Sequence, residues 1–523
     1  MSKRRLPIGI QTFREIREED CYYVDKTAYI RRLLDEGKHY FLSRPRRFGK
    51  SLFLDTCKEL FEGNEPLFAG LYIHDQWDWS VRHPVLRLSF GSGNFKEPGY
   101  VEATLMEQLA AIERRAGVVS EYSTAPGRFA FLLEALHDQA GQPVAVLIDE
   151  YDKPILDALD LPDIARANRD FLRGLYVVIK DCDAHVRFTF ITGVSKFSKV
   201  SLFSGLNNLI DITLDPPYSA ICGYTEADLD TVFAPELPGL DRDEIGTWYN
   251  GYSWASTSSA EPLGEEKVYN PFDVLLLFRN REFGAYWFET GTPAFLVETL
   301  FKRQVSSLAL DNMVGSSDLL STFDVDAIAT EALLFQTGYL TIHRSERRGG
   351  EMFYRLGYPN REVQQSLNRS LLNRMTGDAS RRAAHSAQLY DLLEANDFAG
   401  LKTLFHAFYA SIPYEWYTNN DIANYEGYYD SVFYSHFAAL GLDVRVEDSS
   451  SHGRLDMAVL FNGHVYLFEF KVVELSSAGA ALAQLQERRY ADKYRVLGQP
   501  IHLIGVEFSK DERNISAFDV ERA

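Results

Sequence analysis

Over the first two-fifths of the chain, short apolar runs alternate with stretches of helical periodicity. Residues 40–43, 84–90, 144–149, 187–192 and 209–214 each read as a strand. From Val144 to Ile148 the apolar positions are consecutive, as in a strand covered on both faces, so this region predicts a mainly parallel sheet of the α/β class. From about 216 to 410 the strand signal thins and helical candidates take over, at 273–280, 293–301 and 361–375. That pattern predicts a mostly helical lid and connector. After Pro413 it changes again, to a helix, a hairpin and a strand–helix–strand ending. Domains are therefore expected at residues 1–215, 216–410 and 411–523, the first and last of them α/β. No internal repeat or low-complexity tract interrupts this order.

Composition narrows the classes. The 523 residues are 46% hydrophobic and 13% aromatic, enough for packed domains and unlike a disordered chain. A formal charge of −20 argues against coating nucleic acid by bulk charge, so polyanion contacts must be local. No stretch approaches the roughly 18 apolar residues of a membrane span, and the basic start runs into Pro7 and Gly9 with no apolar leader. A soluble, cytoplasmic protein is expected, with no membrane partner. Cys21, Cys57, Cys182 and Cys222 lie far apart without a CxxC pair, which predicts reduced thiols rather than a disulfide framework or a zinc site.

Between the strand at 40–43 and the helical stretch opened by Lys50 lies the segment Arg44 to Gly49, in the strand–loop–helix setting of a phosphate-binding loop. Gly49 would let backbone N–H groups close on a phosphate, Lys50 would supply a point charge for the outer phosphates, and Ser51 would hold Mg2+. The usual first glycine is replaced by Arg44, and a Gly-Lys-Ser triplet is common by chance, so a solvated basic turn is the plain alternative. Two further strand ends favour the nucleotide. Asp149 and Glu150 close the buried strand, where an open α/β sheet binds ligands, Asp149 to complete the Mg2+ shell and Glu150 to polarise the attacking water. Thr192 closes the next one and offers a hydroxyl to the terminal phosphate. No guanine-reading Asn-Lys-x-Asp follows, which leaves ATP as the expected cofactor.

The C-terminal region carries a geometric argument of its own. Residues 454–461 and 464–472 are strand candidates joined by Asn462-Gly463, the favoured two-residue hairpin turn. Phe461 then faces His464, and the same register sets Asp456 opposite Glu469. Like charges there repel unless something positive lies between them. Alternation puts Lys471 on the face of Glu469, and sends Phe468, Phe470 and Val472 to the other. A structural salt-bridge cluster around Lys471 is one resolution; a hard divalent cation, Mg2+ or Mn2+, fits two carboxylates better. Glu426 opens a helix whose apolar spacing runs to Leu440, and could aim at the same metal. Residues 415–522 hold 17 Asp/Glu against 10 Lys/Arg, with Arg488, Arg489, Lys493 and Arg495 as candidate phosphate contacts or a solvated helix face.

Several of these motifs are shared with known families. Leu6-Pro7-Ile8-Gly9, Tyr23-Val24-Asp25-Lys26-Thr27, Arg44-Pro45-Arg46-Arg47-Phe48-Gly49-Lys50-Ser51, Ile148-Asp149-Glu150-Tyr151-Asp152 and Thr192-Gly193-Val194-Ser195-Lys196-Phe197 together resemble the bacterial AAA-ATPase-like family. The resemblance implies a P-loop NTPase domain with a RecA/AAA-like parallel sheet, and a nucleotide-binding set of Arg46, Phe48, Gly49, Lys50, Ser51, Asp149 and Thr192. Sites of this type are often built between subunits, so a homo-oligomer is among the expectations. Gly453-Arg454-Leu455-Asp456 and Glu469-Phe470-Lys471, with Glu426 before them, resemble the PD-(D/E)xK nuclease superfamily, a restriction-endonuclease-like α/β fold. That resemblance implies Asp456 and Glu469 as metal ligands, Glu426 as an accessory ligand and Lys471 as the group that orients water. Gln484 and Tyr490 would be accessory positions on the following helix. Aromatic turn motifs at 248–252, 269–272 and 358–363 are similar to the same fused family and are read as core and turns.

The expectation is an ATPase with a metal-dependent nuclease domain acting on DNA, in a setting such as defence against foreign DNA. The competing class is a nucleotide-switched signalling or scaffold ATPase that binds nucleic acid without cutting it.

Overall fold

The computed structural model describes residues 3–196, 208–254, 267–291, 294–303, 305, 307–320, 328–376, 379–412, 426–450 and 453–523. The chain forms two compact units, Met1–Gly291 with Met313–Asn360, and Thr292–Asn312 with Arg361–Ala523.

The first unit is built on five strands, β1 (His39–Ser43), β2 (Val85–Ser89), β3 (Val144–Asp149), β4 (Val186–Gly193) and β5 (Ile210–Asp211). Their order is β2-β3-β4-β1-β5 and every neighbouring pair is parallel. Every residue of β3 is buried, as its unbroken apolar run requires. Parallel strands need crossovers, and the helices Lys50–Phe61, Tyr100–Ala116, Ala125–Ala140 and Pro162–Asp181 supply them. The expected strand at 209–214 pairs only at Ile210 and Asp211. Its next residues are engaged otherwise: the Thr213 hydroxyl accepts the Ser43 N–H and the Thr213 carbonyl accepts from Arg44.

Within the stretch expected to be mostly helical, the structure adds an antiparallel sheet: β6 (Met313–Ser316), β7 (Thr341–Arg348) and β8 (Glu351–Gly357), in the order β6-β8-β7. Its central hairpin is too polar to give the alternating signature of a half-buried strand.

The second unit holds β9 (Asp443–Ser450), β10 (Gly453–Phe461), β11 (His464–Val472), β12 (Ile501–Ser509) and β13 (Asn514–Arg522), ordered β13-β12-β11-β10-β9. Only β11 and β12 run parallel. The hairpin register is the one the Asn-Gly turn predicts, Phe461 opposite His464 through Met457 opposite Phe468, with Asn462 and Gly463 both at positive φ. On the apolar face, Phe468 and Phe470 meet Phe433 and Phe437 of the helix Glu426–Ala439. Full burial of each such ring stabilises by about 1.5–3 kcal/mol. The helices Arg361–Thr376, Ala379–Ala395 and Phe398–Ser411 belong to this unit as well. The four cysteines are free and buried, and no described helix is long and apolar enough to cross a membrane.

Candidate functional site

The phosphate loop leaves β1 through Arg44, which is fully buried rather than a solvated turn residue. Its guanidinium donates to the carbonyls of Ser43 (2.8 Å), Thr213 (2.9 Å) and Tyr218 (3.1 Å) and lies over the Trp254 ring. The loop is thus held by a side chain where a general P-loop has a glycine. Gly49 sits at φ +96° with nothing near a would-be Cβ, so its absence of a side chain serves conformation rather than space. Lys50 begins the helix Lys50–Phe61, and its ammonium donates to the carbonyls of Arg44 and Pro45, both at 2.9 Å. Burial pulls its pKa down, against the pull of Asp149 and Glu150.

Arg46, Phe48, Gly49, Lys50, Ser51 and Glu150 line a common cavity of about 590 Å3. Burial raises the pKa of Glu150, with Lys50 opposing, and its backbone sits at φ +51°. Asp149 and Thr192 are placed differently: both are buried, neither lines the cavity, and the Thr192 hydroxyl donates to Asp149 Oδ1 at 2.8 Å. Thr192 therefore orients Asp149. Of the Tyr23–Thr27 run, Asp25 caps the turn, accepting from the N–H groups of Thr27 and Tyr72, while Lys26 lines the cavity and pairs with Asp228 at 3.0 Å. Asp152 was not singled out from sequence. It is buried and accepts the N–H groups of Val194 and Ser195 and the Ser195 hydroxyl, fixing the end of β4. Its place three residues past Asp149 was the available signal. Phe272, from an aromatic turn motif read as structural, and Tyr23, from the Tyr23–Thr27 run, also line the cavity.

In the second unit, the β10–β11 ladder stops one pair short of Asp456 and Glu469. The carboxylate of Asp456 instead accepts the Phe470 N–H at 2.9 Å, which brings it to the same strand end. Glu469 is fully buried. Its Oε1 accepts from Lys471 Nζ at 3.2 Å and from Gln484 Nε2; its Oε2 is buried without a hydrogen-bond partner among the described residues. Burial and the nearby Asp456 charge raise its pKa well above the ordinary carboxylate range, against Lys471. Lys471 also donates to the Phe470 carbonyl at 2.8 Å. The structure thus brings together Asp456, Glu469, Lys471 and Gln484. Tyr490 is placed elsewhere: its hydroxyl donates to the Arg454 carbonyl at 3.0 Å, and a Cβ on Gly453 would stand 2.9 Å from it. Glu426 opens its helix as expected, but its side chain lies outside the described residues. Glu507, buried and paired in register with Lys471 across β12, was not anticipated.

An orphaned, desolvated carboxylate oxygen beside a second carboxylate is a donor set suited to a hard divalent cation. Among the described residues, no group of three or more His, Cys, Asp or Glu side chains forms a ready shell, so two carboxylates are what this site offers. The cations expected to meet phosphate are largely engaged: Arg489 and Arg495 pair with Asp492, and Lys493 pairs with Asp448.

Residues 7–203 match the model of a family described as predicted AAA-ATPase, and residues 424–518 that of the PD-(D/E)XK nuclease superfamily. A protein from Azotobacter chroococcum mcd 1, described as "Uncharacterized protein in vnfD 5'region", is 62% identical over 522 residues, covering 100% of this chain and 99% of its own length. No solved structure matches. The parallel sheet with its phosphate loop and the carboxylate hairpin are the structural counterparts of these two matches, and the chain belongs to the AAA-ATPase-like proteins that carry a C-terminal PD-(D/E)XK nuclease superfamily domain.

Proposed function

We propose that the protein binds and hydrolyses ATP in its first unit and cleaves DNA phosphodiester bonds in its second, with Mg2+ or Mn2+ as the metal. By fold analogy, the setting is defence against foreign DNA. The observation that carries the nuclease half is Glu469 Oε2, a buried carboxyl oxygen without a partner among the described residues, beside Asp456. Asp456 and Glu469 would hold the cation, with Glu426 as the accessory ligand. When bound, such a cation makes a water nucleophilic near neutral pH and offsets charge that builds on the phosphate. Lys471, held against Glu469 and the Phe470 carbonyl, supplies a second positive charge and orients the attacking water. Gln484 fixes the rotamer of Glu469 by donating to Oε1. In the first unit Lys50 and the Gly49 turn would receive the outer phosphates, Ser51 at the cavity wall would hold the metal of the nucleotide with Asp149 behind it, and Glu150, poised by a raised pKa, would take a proton from water.

Nicking of plasmid DNA with Mg2+ or Mn2+ tests the reading. Wild type is expected to nick and Lys471→Ala to fail; undiminished cleavage by the variant, or none by wild type, returns the second unit to a binding role and favours a nucleotide-switched scaffold. Free phosphate released from ATP, lost in Lys50→Ala, separates hydrolysis from phosphotransfer.

A further inference from the structure

An acidic chain that cuts DNA must meet a polyanion somewhere, and three of the four candidate cations of the second unit are already paired with acids. The hairpin formed by β7 and β8, in the first unit, is different. In its register Arg344 stands directly opposite Arg355, two like charges whose Cβ atoms are about 5 Å apart, an arrangement that is unfavourable without an anion. Neither has an ion pair or hydrogen bond among the described residues, nor does Arg347; all three are exposed. Of the remaining charges on the hairpin, Arg348 pairs with Glu346, and Glu351 faces Arg348.

The shape adds to the charge. The third strand, β6, pairs only with Phe353 to Leu356, so residues 347–352 extend past it as a two-stranded ribbon. The ribbon turns at Gly349 and Gly350, both at positive φ, and a groove of about 150 Å3 lies on the face that holds Arg344, Arg348 and Arg355, with Glu346 among them. Phe353 and the exposed Val314 share that groove. Arg344 and Arg355 stand at the base of the ribbon, where β8 still pairs with β6, while Arg347 lies in the ribbon itself, opposite Met352 and on the other face. A two-stranded ribbon is one of the few elements that fits a DNA groove, and arginine is the residue suited to phosphate.

We infer that the 341–357 hairpin is a DNA-binding ribbon, with Arg344, Arg347 and Arg355 contacting the phosphate backbone. The choice of DNA as the partner rests on the nuclease reading above; the charge and geometry of the ribbon do not. The test is binding of a fluorescently labelled duplex to the full chain, followed by anisotropy in EDTA so that cutting plays no part, across a series of salt concentrations. In the variant Arg344→Gln/Arg347→Gln/Arg355→Gln, affinity at low salt is expected to fall about tenfold or more. The slope of log affinity against log salt should become shallower by about 2–3, since each lost phosphate contact removes roughly 0.9. Phosphate release from ATP serves as the control for folding and is expected to be unchanged. The smaller variant Arg344→Gln/Arg355→Gln should show about two-thirds of the slope change. Unaltered affinity and slope in the triple variant overturn the inference, as does wild type that fails to bind duplex, or a variant that loses binding to poly-glutamate but not to DNA. Failure of the nuclease reading shows up separately, as wild type that binds the duplex through these arginines in EDTA yet leaves plasmid uncut with Mn2+.

Discussion

At the nucleotide cavity the buried cation, Lys50, has its hydrogen bonds supplied by the carbonyls of Arg44 and Pro45, whereas at the hairpin Glu469 Oε2 has no partner among the described residues. The first site holds its charge in a frame of main-chain carbonyls beside an open cavity, so its buried ammonium is satisfied before any ligand arrives. The second buries a carboxyl beside another carboxylate, which raises its pKa to about 8, so near neutral pH a proton stands in for the cation and its own electrostatics stay unfinished until a metal arrives. A pre-formed site should tolerate ligand removal; an unfinished one should not.

The largest expected effect separates the two. Asp456→Ala is expected to lower metal-dependent nicking by about 10²–10³-fold or more while phosphate release from ATP holds, both measured on one preparation. Parallel loss of both would show that the sites are not independent. Next, Lys50→Ala should cut ATP hydrolysis by about 10²–10³-fold and, by stripping two buried carbonyls of their donor, lower stability by about 1–3 kcal/mol, read by chemical denaturation.

Stability should depend on pH at the second site. The carboxyl of Glu469 is raised in the folded protein by burial and by Asp456, so between the ordinary carboxylate range and its raised value the folded state binds more protons than the unfolded. Its contribution is therefore fully present at low pH and is lost as pH rises through that window. Melting temperatures in EDTA should decline with pH across it, Glu469→Gln should flatten the decline, and Mg2+ should restore the wild type at the upper end. An EDTA profile identical in wild type and Glu469→Gln would remove the contrast between the sites.

Smaller still is Arg44→Gly, which restores the general P-loop residue. It should destabilise by about 1–3 kcal/mol rather than help, because three carbonyls lose a charged donor. Least of all, Arg489→Gln with Arg495→Gln should alter duplex affinity by only about two- to threefold, since the two share Asp492, which offsets one of their charges.

How far the sequence carried depended on how local the determining physics was. The hairpin register was legible because Asn462-Gly463 permits one tight turn, and the turn alone sets every pair from Phe461 to Met457. One residue further on, the ladder ends, because the Asp456 side chain takes the Phe470 N–H; no pattern of apolar and polar positions encodes that choice. Gln484 was reached as an accessory position through family resemblance rather than spacing; its bond to Glu469, across 15 residues of chain, was not anticipated. Thr192 was expected at the phosphate and instead supports Asp149, a distinction set by which way a strand-end hydroxyl points. The antiparallel sheet of the first unit went unread because strands such as 343–348 are charged and exposed, and so lack the alternation that identifies a half-buried strand.

The clamp made by Arg44 bears on whether this loop is a portable module. A glycine-rich phosphate loop is shaped largely by its own backbone, so it can be moved between scaffolds with the strand and helix that flank it. Here the shape of residues 44–49 is anchored by carbonyls at 213 and 218, some 170 positions along the chain. A graft of residues 39–61 alone would leave a guanidinium seeking absent acceptors, and any insertion between 196 and 218 that displaced those carbonyls would be felt at the phosphate cradle. The proposed nucleotide affinity would then register changes at the edge strand beside β1.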